Sequence, residues 1–164
     1  MVKKIEIFNC DLLVMPCNTA SYFYKEIIKN TNILFINIVE ETVKYLSDNN
    51  IKKVGLLATE GTVQSGIYKE LLDNYNIDLI IPNKEEQDVI SSIIYDGIKS
   101  GKEININDFY KVINHLKNQE CEKIILGCTE LSALKEIYHL KDEYLIDAME
   151  ILADSTIKYT KNTD

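Results

Sequence analysis

Two ten-residue stretches carry all four cysteines of the chain. Residues 10–19 read CDLLVMPCNT, and residues 121–130 read CEKIILGCTE. Each has a Cys, an acidic residue, a run of large aliphatics, a helix-averse Pro or Gly, a second Cys and a polar tail. Cys10 aligns with Cys121, and Cys17 with Cys128. An apolar run bounded by turn residues fits a strand buried on both faces, as in a parallel sheet. Each copy therefore reads as a core strand that presents a Cys at its carboxyl end. Open α/β sheets place their ligands there.

The chemistry open to Cys17 and Cys128 follows from that position. Amides at a helix start favour negative charge, so both sulfurs are expected to lean towards thiolate. The same amides would hold a substrate carboxylate. Two such thiols facing one cavity could take a proton from one face of a carbon and return one to the other face. Cys10 and Cys121, at the starts of their strands, read as packing residues, the usual fate of a cysteine beside a core strand. Zinc is disfavoured by the absence of close-spaced Cys pairs or Cys/His clusters, and a thioredoxin-like centre by the absence of C-x-x-C. His115 and His139 read as surface or half-buried residues. The TEGT segment at 59–62 lacks the Gly-Lys pair of a phosphate-binding loop and reads as a strand-to-helix turn.

The elements that must position these residues alternate along the chain. Residues 1–9 read as the tail of a helix. Strand 11–16 follows, then a helix over about 20–29 capped by Asn18 and Thr19, then strand 33–37. A helix over 38–49 has its apolar face at Ile38, Val39, Val43 and Leu46. Strand 53–58 leads through TEGT into a helix bearing Val63, Ile67, Leu71 and Leu72. Strand 77–81 ends at Pro82. Asn83 and Glu86 form a capping-box pattern opening a helix with Val89, Ile90, Ile93, Ile94 and Ile98, its end bracketed by Gly97 and Gly101. A helix over about 107–118, strand 123–127, a helix after Thr129 and a strand near 144–146 come next. Asp147 and Glu150 stand in capping positions of the closing helix, and the tail from Lys158 is expected to fray. Strand–helix alternation predicts parallel sheets with helices on both faces.

Composition narrows the partners. The chain has 164 residues, 46% of them hydrophobic, enough for one domain or two small lobes. With no long apolar run and no basic-apolar leader, a cytoplasmic location without a membrane partner is the default. The net charge is −8 and every basic residue is Lys. Without a basic stripe, nucleic acid is not an expected partner. Without Arg, no bidentate guanidinium clamp on a carboxylate can come from this chain.

Four segments in order carry a family resemblance: MPCNTA at 15–20, LLATEGT at 56–62, IYDGIKSG at 94–101 and GCTEL at 127–131. Together they resemble the aspartate/glutamate racemase superfamily, over nearly the whole chain from about Ile5. Glu130, where glutamate racemases tend to carry His, resembles the aspartate branch. The resemblance implies an α/β fold of two pseudo-symmetric lobes, the first from residues 1–38 with 147–164 and the second from 39–146. It implies racemisation of an amino acid, aspartate or a related acidic one, without cofactor or metal. Cys17 and Cys128 would be the two bases. Asn18, Thr19, Thr59, Thr62 and Thr129 would hold the α-carboxylate and amino group. Lys99, otherwise an ordinary helix-surface lysine, would meet a distal carboxylate. A homodimer is consistent with the family.

Racemases of this kind open with a Gly-rich strand and turn, a helix and a further strand before the first Cys motif. This chain begins in the helix ahead of that motif, so the first lobe is expected to be truncated at its N-terminus. The alternative function is therefore an inactive racemase paralogue that binds a small carboxylate or self-associates through an exposed parallel edge. A third reading is a thiol-redox or peroxide sensor built on Cys17 or Cys128.

Overall fold

The computed structural model describes residues 5–161. The chain is α/β with every strand pairing parallel. After a 3-10 turn at Glu6–Phe8 comes β1 (Leu12–Met15), a second 3-10 turn at Thr19–Phe23 and a short α1 (Tyr24–Ile28). Next are β2 (Leu34–Asn37) and α2 (Ile38–Asp48). Then follow β3 (Lys53–Ala58), α3 (Glu60–Ser65) and α4 (Ile67–Asn74), and β4 (Asp78–Ile80) and α5 (Lys84–Ser92). α5 runs on as a π-helical turn over Ile93–Ile98. The rest is α6 (Ile106–Asn118), β5 (Lys123–Gly127), α7 (Thr129–Ile137), β6 (Leu145–Asp147) and α8 (Ala148–Lys161).

Among the described residues there are two sheets. β1 and β2 form one, and the other has the order β4-β3-β5-β6. β3 and β5 are its central pair, in register from Val54↔Lys123 to Ala58↔Gly127. The chain leaves β3 for β4 on one side and later enters β5 on the other. The carboxyl ends of β3 and β5 therefore flank a topological switch point, where such sheets form a crevice.

Both faces of the larger sheet are buried, which explains its unbroken apolar strands. Successive residues alternate between two cores, as the pleat requires. Leu57, Ile124 and Leu126 pack with Ile90, Ile94, Phe109, Ile113, Leu116, Leu131 and Leu134. Val54, Leu56, Ala58 and Ile125 pack with Ile36, Val39, Val43, Leu46, Tyr68, Leu72 and Leu152 on the opposite face. Ile124, Ile125 and Leu126 are each fully buried. Each such side chain stabilises the fold by roughly 1.5–3 kcal/mol relative to exposure.

Several local expectations are met by the geometry that motivates them. Asn83 and Glu86 form the reciprocal capping box of α5. The buried face of α2 includes Ile38, Val39, Val43 and Leu46, and Asn37 caps the helix by accepting from the Val39 amide at 2.9 Å. Cys121 is buried in the core, and Cys10 is half-buried.

Others are corrected. Of the helix tail expected over 1–9, residues 1–4 lie outside the described residues; Ile5 is helical, and from Glu6 to Phe8 the chain tightens into the 3-10 turn. The helix expected over 20–29 splits into the 3-10 turn and α1, and Asn18 makes no side-chain cap there. The helix after TEGT breaks at Gly66, whose φ of +69° is the left-handed conformation favoured by glycine. Lys158 lies inside α8, which continues to Lys161, so the tail is ordered that far. At the start of α8, Asp147 accepts from the Met149 amide at 2.9 Å, whereas Glu150 pairs with Lys135.

Candidate active site

The two Cys-ended strands deliver their sulfurs to one place. Cys17 follows β1 after Pro16, and Cys128 sits between β5 and α7 at the switch point. A cleft of about 190 Å³ is lined by Cys17, Asn18, Thr19, Thr59, Lys99, Cys128 and Thr129, together with Ile94, Tyr95, Gly127 and Glu130. That is smaller than the roughly 300–1,000 Å³ of pockets that enclose drug-sized ligands, and suits a small metabolite. A wider groove of about 320 Å³ runs between α2 and α8, but its lining contains no cysteine. Chemistry, not volume, distinguishes the cleft.

Of the eight site residues expected from the family resemblance, Thr62 alone is absent from the cleft lining; it stands immediately behind Thr19 and Thr59. Its hydroxyl lies 2.7 Å from that of Thr19 and 3.0 Å from that of Thr59. Thr19 and Thr59 are themselves 3.0 Å apart, so the three hydroxyls close a ring. Thr59 also caps α3, accepting from the Thr62 amide. The ring joins the turn after β1 to the loop after β3, and so fastens the small sheet to the large one. Asn18, only 4% exposed, has its amide oxygen 2.6 Å from the hydroxyl of Tyr68, which donates to it.

The two sulfurs are in unlike surroundings. Cys17 is exposed, and the Ala20 amide donates to its Sγ at 3.4 Å. Cys128 is buried, and its thiol donates to Glu130 Oε2 at 3.0 Å. Burial, reinforced by that hydrogen bond and by the charges of Glu130 and Cys17, pushes the Cys128 thiol up to about 12. The expectation that a helix start would favour its thiolate is therefore corrected. Removal from water and an adjacent carboxylate outweigh the amides of α7. Conversely, the Glu130 carboxyl is held below the usual range. The hydrogen bond from Cys128 is the main cause, and Thr129, a backbone amide and Lys99 add to it against burial. Thr129 donates to the same Oε2 at 2.9 Å.

Lys99 follows the π-helical turn that also carries Ile94 and Tyr95. Its ammonium is 5.5 Å from the Tyr95 ring centroid. The i→i−5 bond from the Lys99 amide to the Ile94 carbonyl, 3.0 Å, sets the local pitch. π-turns of this kind recur at functional sites. Sequence reasoning missed Tyr95, Ile94 and the role of Glu130 as partner of Cys128. The position of Glu130 two residues after a strand-end Cys was the one signal available. The histidines stand apart from the cleft: His115 pairs with Glu86 on the outer face of α5 and α6.

An α/β fold with a small cleft between two Cys-ended strands defines a class of two-thiol sites at a sheet switch point. The chain belongs to the Asp/Glu/hydantoin racemase family, which it matches over residues 1–156. It is 30% identical over 155 residues to the broad specificity amino-acid racemase RacX of Bacillus subtilis, covering 94% of this chain and 66% of that protein. Among solved structures it is similar to the aspartate racemase of Picrophilus torridus, with a TM-score of 0.77, 32% identity and coverage of 96% of this chain and 65% of that one. An aspartate racemase homologue from Pyrococcus horikoshii shares the fold, with a TM-score of 0.83 at 22% identity, covering 98% of this chain and 71% of that one. The chain thus spans about two thirds of the length of these relatives. No helix among the described residues is long and apolar enough to cross a membrane.

Proposed function

We propose that this chain racemises an amino acid, aspartate or a related acidic one, by two-base proton transfer between Cys17 and Cys128 without a cofactor. The observation that carries this reading is the unlike pair of thiols lining one small cleft. Racemisation by two bases needs one group ready to accept a proton and another ready to give one. Cys128, whose proton is held by burial and Glu130, is the donor in the state described. Cys17 is then the group that takes the Cα proton. In the reverse direction the roles exchange, so the protonation pattern belongs to the pair. Asn18, Thr19, Thr59, Thr62 and Thr129 hold the α-carboxylate and amino group. Lys99, at the rim, faces a side-chain carboxylate. The division into a lobe of 1–38 with 147–164 and a lobe of 39–146 belongs to the same reading, and the two separate sheets support it.

The test is incubation with L- and D-aspartate in deuterium oxide, with protein shown to be folded. Deuterium at Cα and decay of optical rotation are expected from either enantiomer. Absence of both, across acidic and neutral amino acids, would sink the reading.

A second reading is favoured by one observation. Among the described residues β1 pairs only with β2, and Ile7, Phe8, Val14, Tyr22, Phe23 and Leu34 in this region are exposed. An open parallel edge with apolar neighbours suits self-association of a chain that binds a small carboxylate without turning it over. Thermal shifts with amino and dicarboxylic acids, but no Cα exchange, would select it.

A further inference from the structure

Asn18 is the most buried polar side chain that lines the cleft, and its amide has two chemically opposite ends. The oxygen only accepts; the nitrogen only donates, with two protons. Which end meets a bound carboxylate decides whether Asn18 attracts or repels it. The side chain alone does not decide this, because the two ends are nearly the same size.

We propose that Tyr68 is a positioning residue that fixes the Asn18 amide with its nitrogen towards the cleft. The Tyr68 hydroxyl, on α4 and 50 residues away in sequence, is 2.6 Å from Asn18 Oδ1. Tyr68 is 1% exposed and wedged in the core between the large sheet and α2, so the ring cannot follow a rotating amide. Its hydroxyl engages Thr42 as well, and the Thr42 hydroxyl in turn donates to the Ile38 carbonyl at 2.7 Å. A phenol oxygen can also accept, but a nitrogen-inward amide would need the Tyr68 proton to turn away to Thr42, whereas the 2.6 Å contact is a donation to the amide oxygen. The oxygen-inward orientation is therefore the one the core selects. Burial, with the charge of Asp147 adding to it, raises the Tyr68 hydroxyl far above the ordinary tyrosine range. It stays a donor at any working pH. The inward oxygen leaves the two N–H groups for the cleft side, where a carboxylate would accept them. The consequence is a link from the core of the larger sheet to the first turn of the smaller one, ending on a ligand-facing donor.

This inference rests on the reading of the cleft as an amino-acid racemase site, and the experiment separates the two. Kinetics are compared for the unaltered chain, Tyr68→Phe, Asn18→Ala and the double variant. Tyr68→Phe deletes one oxygen and keeps the ring in the core. It is expected to raise KM about three- to tenfold with kcat changed less, the size of one hydrogen bond between neutral groups. In the Asn18→Ala background the same change is expected to leave KM unaltered, because Tyr68 acts through Asn18. A merely structural role would lower Tm in both backgrounds and multiply the kinetic effects, and that result would overturn the proposal. The second readout needs no turnover. In protein labelled with 15N in asparagine side chains, the Asn18 Nδ2 signals are expected to shift or broaden on Tyr68→Phe. Unmoved signals would overturn the proposal even in a chain that racemises nothing. Moved signals in such a chain would leave Tyr68 a positioning residue and remove only the racemase reading.

Discussion

The Cys128 thiol and the Glu130 carboxylate share a proton across 3.0 Å, although the two residues are separated by one position in the chain. The turn from β5 into α7 makes this contact local. The sulfur is buried and the carboxylate less so, so the proton rests on sulfur. This asymmetry distinguishes Cys128 from the exposed Cys17.

On the proposed mechanism, replacing either sulfur removes one of the two bases. Cys17→Ser and Cys128→Ser are each expected to lower racemisation by about 10²–10⁴-fold in both directions, the usual contribution of a positioned acid or base. Circular dichroism of the amino acid against time measures this. Cys17 is exposed, so Cys17→Ser should leave Tm close to that of the unaltered chain, which separates lost chemistry from lost folding.

Glu130→Gln keeps the shape and removes the charge. The Cys128 thiol, held at about 12, is expected to ionise at lower pH in this variant. Thiolate absorbance in a Cys17→Ser background, titrated with pH, reads the shift. An unchanged midpoint would mean that burial alone sets the value.

The same thiol predicts how stability depends on pH. Its folded value is raised, from the ordinary 9.0 to about 12. Between those values the unfolded chain releases the proton and the folded chain keeps it, so unfolding is favoured as pH rises. The contribution is fully present below pH 9 and is lost on the way to about pH 12. Tm is therefore expected to fall through this window, and to fall less steeply in Cys128→Ser. Urea titrations at pH 8 and pH 10.5 would check the sign.

Lys99 is exposed on the rim of the cleft. Exposed ion pairs are weak, so Lys99→Gln is expected to raise KM for aspartate only about two- to fivefold. KM for alanine should not change. Equal effects on both substrates would remove Lys99 from side-chain recognition.

Gly97 lies in the π-helical turn against Ile104. A Cβ there would sit 2.1 Å from Ile104 Cγ2, so one of the two must move. Gly97→Ala is expected to destabilise the chain by about 1–3 kcal/mol, the cost of overpacking, and to disturb Tyr95 and Lys99. Urea unfolding gives the first effect and substrate KM the second.

Features set by neighbours in sequence were legible before the fold. The Asn83–Glu86 capping box, the buried face of α2 and the two Cys-ended strands all follow from spacing. The strand-end rule singled out Cys17 and Cys128, and the family resemblance added Asn18, Thr19, Thr59 and Thr129, all of which line one cleft. Features set by packing were not legible. Nothing in residues 10–19 reveals that Asn18 turns its oxygen to Tyr68 rather than capping a helix. The helix-start argument gave the wrong sign for Cys128 because the depth of burial, and the direction of the Glu130 side chain, are tertiary facts. The break at Gly66 was visible as a residue, but the helical pattern continued across it.

The ring of Thr19, Thr59 and Thr62 has a consequence for the joint it forms. Each hydroxyl owns one proton, and a closed ring commits all three to its own members. A carboxylate arriving at Thr19 or Thr59 is an acceptor and can be met by these hydroxyls only if one proton is withdrawn from the ring. The clasp between the two sheets and a grip of these hydroxyls on a carboxylate would therefore compete for the same hydrogens, so filling the cleft in that way would slacken the seam that shapes it.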